Sequence, residues 1–73
     1  MRTAQQFYDD TAATAWRLAR CLHRSPADAE DALARAYAEL LAEPGALEHP
    51  RARTHLLALL TEHARAALPL RAG

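Results

Sequence analysis

Apolar positions recur along this chain with the period of an α-helix in three successive blocks. In the first, Tyr8, Ala12, Ala15, Ala19 and Leu22 follow one another at spacings of three or four residues, and Phe7, Trp16 and Leu18 widen the stripe. Asp9, Asp10, Arg17, Arg20 and Arg24 fall largely elsewhere. Thr3 with Gln6 three residues on has the form of a capping box, so the pattern predicts a helix over 4–23. The second block opens on Ser25-Pro26-Ala27-Asp28: a hydroxyl cap, a proline at the first helical position and an acid in the first turn. Its stripe of Ala29, Ala32, Leu33, Ala36, Tyr37, Leu40 and Leu41 predicts a helix over 26–42. That stripe leaves Asp28, Asp31, Arg35 and Glu39 on exposed ground, with Asp31 and Arg35 at pairing distance along the helix. Glu43-Pro44-Gly45 ends it.

A loop to His49 and then Pro50 open a third block, predicted helical over 50–68 and stopped by Pro69. Ala52, Leu56, Leu59, Leu60, His63 and Ala67 form its stripe, broadened by Leu57, Ala64 and Leu68, so this helix is expected to be the most buried. Ala and Leu supply most of the apolar content, and valine and isoleucine are absent, which removes the usual material of strands. A chain of 73 residues buries only about 60% of its unfolded surface, so residues 1–73 are expected to form a single helical domain. The fold expected is all-α, a small antiparallel three-helix bundle. The pattern leaves packing order and handedness open.

Charge and chemistry narrow the function. Nine basic and nine acidic residues balance, so no overall field draws in nucleic acid or an anionic membrane. The longest near-continuous apolar run, Leu56 to Leu60, is far short of the roughly 20 residues that span a bilayer. A lone cysteine, Cys21, forms no internal disulfide, and no secretory signal pattern opens the sequence, so a cytoplasmic location without membrane attachment is expected. Ser25 is committed to a helix cap, and Cys21 is expected as a semi-buried thiol. His23, His49, His55 and His63 show no zinc spacing, His55 and His63 lie two turns apart, and the adjacent Asp9 and Asp10 point in different directions. With two glycines there is no phosphate loop. No enzyme activity, metal site or cofactor is expected; binding remains.

The order of segments resembles region two of the extracytoplasmic-function sigma factors of bacterial RNA polymerase. The residues that carry the resemblance are Phe7-Tyr8, Arg20, the run Ser25-Pro26-Ala27-Asp28-Ala29-Glu30-Asp31-Ala32-Leu33, Tyr37, and His49-Pro50-Arg51-Ala52. They match, in order over roughly 5–68, an F-x-x-x-Y-type helix, a D-P-A-D-A-E-D-like turn leading into a second helix, and an N-P-R-A segment opening the next. The resemblance implies that the second helix docks on the coiled-coil clamp of the polymerase, or on an anti-sigma factor. It places Asp28, Glu30, Asp31, Arg35 and Tyr37 at that contact, and it implies that the third helix meets promoter DNA, with Arg51, Arg53 and Arg65 on phosphate.

The sequence departs from the family pattern in several places. Its glutamine and following acid fall on Ala34 and Arg35, a lost amide and a reversed charge at a polar interface. The tryptophan expected after P-R-A is replaced by Arg53, and the aromatic platform that single-stranded bases need is missing, so any DNA contact is expected to be weak. Region four, a helix-turn-helix module, has no counterpart in these residues, and a stand-alone region-two-like domain linked to transcription is the expectation. The alternative is a small interaction or homodimerisation module that keeps the fold without polymerase or DNA, suggested by leucines on several sides of the third helix.

Overall fold

The structure is a computed structural model that describes residues 3–67. It is all-helical: α1 (Ala4–Leu22), α2 (Pro26–Leu41), a short 3-10 turn (Ala46–Glu48) and α3 (Ala52–Ala67), with no strand among the described residues. Each long helix packs on the other two, which makes a three-helix bundle. Trp16 and Glu30 share one groove while Ala4 and Leu41 share its continuation, so α2 runs back along α1. His63, late in α3, lines a recess with Asp28, early in α2, while Thr54 and His55, early in α3, border Glu43 and Pro44 just past the end of α2; α3 therefore runs back along α2.

The helix starts follow the chemistry of their caps. Thr3 Oγ1 accepts the Gln6 backbone N–H while Gln6 Oε1 accepts that of Thr3, at 3.1 and 3.0 Å, completing the capping box. Ser25 Oγ accepts the Asp28 N–H at 3.1 Å, with Pro26 at the first helical position. Gly45 supplies the left-handed turn, φ +76°, that carries the chain out of α2. The third helix begins at Ala52, two residues later than Pro50 was expected to open it. The Arg51 N–H is taken by His49 Nδ1 and the Ala52 N–H by the His49 carbonyl, which holds Pro50 and Arg51 in a turn. The expected end of that helix at Leu68 lies outside the described residues.

The core corrects the sequence stripes in three places. Phe7, Ala15 and Ala19 of α1 are buried as expected, but the fourth buried position is Thr11, while Tyr8 and Trp16 face outward. Thr11 tolerates burial because its hydroxyl is satisfied twice, by the Phe7 carbonyl at 2.8 Å and the Tyr37 hydroxyl at 2.6 Å. On α2 every predicted stripe residue is buried except Leu41. The third helix is not the most buried: Ala52, Leu56, Leu60 and Ala64 are its described buried residues, against six on α2, which lies between its neighbours in chain order. Leu57 and Leu59 are partly buried against the core rather than displayed as a second face.

Candidate functional site

The bundle leaves α2 with two flanks of opposite chemistry. On the side toward α3, Asp28, Asp31 and Arg35 line a polar recess together with His23 and His63. Asp31 Oδ2 and Arg35 Nε stand 3.2 Å apart, with both side chains about two-thirds exposed (64 and 67%). So exposed a pair adds only a few tenths of a kcal/mol to stability and stays available to a partner. One turn on, Glu39 Oε2 meets His63 Nε2 and ties α2 to α3. His23 Nε2 is buried here and has no hydrogen-bond partner among the described residues.

The side toward α1 is an open groove of about 570 Å³ lined by Tyr8, Ala12, Ala13, Trp16, Leu33, Ala34 and Tyr37, with Glu30 on its rim. It continues past Ala34 and Tyr37 to Gln5, Ala4 and Leu41. Tyr8, Trp16 and Leu41, all large and apolar, are 46, 36 and 42% exposed along it. Arg20 lies over the Trp16 ring, 5.9 Å from its centre, in the range of a cation–π contact. Tyr37 stands edge-on to Phe7 at 6.1 Å and tilted against Tyr8 at 5.1 Å, so the three rings join core and groove. Burial raises the pKa of the Tyr37 hydroxyl above the ordinary tyrosine value; the Thr11 hydrogen bond pulls the other way, and Tyr8 adds to the rise.

The residues expected at one partner contact are therefore divided. Asp28, Asp31 and Arg35 share the polar flank; Glu30 stands across the helix on the groove rim. Tyr37 is not a surface contact residue: it is buried, its hydroxyl turned inward to Thr11. The geometry is that of the helix itself, since residues two apart point to nearly opposite sides and Glu30 sits two past Asp28.

The three arginines expected on DNA are exposed but do not share a face. Arg51 borders a recess with Pro44, Thr54 and His55, whereas Arg53 Nη2 donates to Thr14 Oγ1 at 3.0 Å on the α1 side. Arg65 is about 18 Å further along α3 than Arg53 and about a third of a turn round it. Cys21, expected to be semi-buried, is exposed. Among the described residues no three His, Cys, Asp or Glu side chains gather as a metal site would need. No helix among them is long and apolar enough to cross a membrane.

Sequence reasoning missed two contributors. Thr11 gave no signal, being a polar residue in an apolar stripe. The groove had one, since Tyr8, Ala12 and Trp16 recur at a spacing of four, but a stripe pattern does not say whether a neighbouring helix covers it. No protein-family model, curated protein or solved structure matches the chain.

Proposed function

We propose that this chain is a protein-docking module of cytoplasmic transcription control, and that α2 is the element that meets its partner, the RNA polymerase clamp or an anti-sigma factor. The observation that carries this reading is the polar flank of α2: Asp28, Asp31 and Arg35 stand exposed on one side of the helix that the Ser25-Pro26 cap begins. That helix is the one whose residues carry the resemblance to sigma region two. The contact set is revised to Asp28, Asp31 and Arg35, with Glu30 outside it. Direct DNA binding is a lesser part of the proposal, because Arg51, Arg53 and Arg65 are dispersed and lack the aligned cations and stacking rings of a single-strand groove.

Asp31→Arg tests this reading. The position is exposed, so the variant keeps its helicity and loses at most a few tenths of a kcal/mol from the new like-charge spacing with Arg35. Binding to purified core polymerase, or to an anti-sigma factor recovered with the tagged chain, falls by about tenfold or more as one charge of a paired interface is reversed. Unchanged binding by the folded variant contradicts the polar flank as the contact.

A second reading is favoured by the groove. Three exposed large apolar side chains on one trough are the mark of an interaction surface, and they support a module that binds protein without polymerase or DNA.

A further inference from the structure

We infer that the groove between α1 and α2 is a homodimer interface, in which two copies of this chain pair their α1 helices antiparallel about a two-fold axis and Trp16 of each copy seats on Ala12 and Ala13 of the other. The inference rests on the second reading above and deepens it by naming the partner.

Among the described residues, Tyr8, Trp16 and Leu41 are the exposed large apolar side chains, and all three border this one groove. Scattered singly, such residues are ordinary on a protein surface; gathered along a trough they form a contiguous apolar patch. Its floor is built with small residues, Ala12, Ala13 and Ala34, which leaves room for a bulky ring from outside. A short chain also has the most to gain from such burial, because a core of this size supplies little stability by itself.

The order of charge along α1 identifies the occupant as a second copy. Its exposed side presents Asp9, then Ala13, then Trp16, then Arg20: an acid toward the start, an apolar middle and a base toward the end. A surface with that order is complementary to itself turned end for end. Asp9 and Arg20 are equidistant from a point between Thr14 and Ala15, and so are Ala13 and Trp16. One two-fold register therefore sets Asp9 opposite Arg20 and Trp16 opposite Ala13 at the same time, twice over, as an isologous interface requires. Asp9 already accepts a hydrogen bond from Gln5 at 2.9 Å, and a carboxylate has further lone pairs for a guanidinium.

Sedimentation equilibrium of the full chain tests this, with circular dichroism confirming that each variant is folded. The wild type is expected to reach twice the chain mass of 8.0 kDa as its concentration rises. Trp16→Ala weakens association about tenfold or more, as the removal of a central aromatic anchor does. Asp9→Arg and Arg20→Asp each weaken it as well, yet an equimolar mixture of the two associates again, because in the mixed dimer the two reversed charges face one another at one contact and the native Arg20–Asp9 pair remains at the other. A chain that stays monomeric to its highest soluble concentration overturns the proposal, as does a dimer that none of these variants weakens. A monomer that holds a different protein through Trp16 overturns the second copy and leaves the interaction-module reading standing. A monomer with no partner sensitive to Trp16 overturns both.

Discussion

The two flanks of α2 differ in what their side chains have left to do. On the α3 side, Asp31 is paired with Arg35 and Glu39 with His63, and the surface between them is polar. On the α1 side, the rings of Tyr8 and Trp16 border small alanines and stay partly exposed, with Arg20 over the Trp16 ring. A polar flank of exposed pairs contributes little to folding and discriminates between partners by charge. An apolar groove left open gives up burial that the same residues would gain beneath a partner. The lesson is that one helix can serve folding through its centre while its two edges keep different chemistry.

The sharpest break in the comparison is between two adjacent leucines at the end of α2. Leu40 is fully buried, whereas Leu41 faces the groove. Leu40→Ala should cost about 2–5 kcal/mol in denaturant unfolding, through lost burial and the cavity left behind. Leu41→Ala should cost under about 1 kcal/mol, as surface changes usually do. Equal losses would mean that Leu41 belongs to the core and that the groove is closed.

A smaller effect tests the junction where the groove meets the core. Thr11→Val keeps the shape but leaves the buried Tyr37 hydroxyl without its partner, which should cost about 1–2 kcal/mol of stability. No change in unfolding free energy would show that Tyr37 finds its hydrogen bond elsewhere.

The smallest effect is a titration. In a Tyr8→Phe variant Tyr37 is the remaining tyrosine, and its ultraviolet absorbance should titrate above the ordinary value of 10.0. The unfolded chain then releases this proton first, so the folded form binds more protons above that pH and stability falls as pH rises through it. A midpoint below the ordinary value would contradict burial as the dominant influence on this group.

Much of the fold was legible in the residues, because caps and stripes are local. Ser25-Pro26 placed the start of α2, and its stripe named six buried residues correctly. What failed on α1 was the choice of face. Phe7, Tyr8 and Trp16 were counted on one broad stripe, while the core takes Phe7 and accepts Thr11, whose hydroxyl is satisfied by a residue twenty-six positions away. No local pattern carries that information. The start of α3 was misplaced because His49 engages the Arg51 N–H through its side chain, a contact invisible to a rule about proline.

The polar flank was partly legible. Helical spacing alone separates Glu30 from Asp28 and Asp31, and it also disperses Arg53 and Arg65 along α3, so both divisions follow from the sequence once the angular positions are worked out. The openness of the groove did not follow, because it depends on where the third helix packs.

The most direct test of two separate working flanks is sedimentation velocity of fluorescently labelled chain, alone and with core RNA polymerase, for wild type, Asp31→Arg and Trp16→Ala. The predicted result is a crossover: Asp31→Arg keeps self-association and loses the fast-sedimenting complex, and Trp16→Ala does the reverse. A wild-type chain that sediments neither with polymerase nor with an anti-sigma factor recovered with the tagged chain, or a single variant that abolishes both associations while remaining folded, would contradict it.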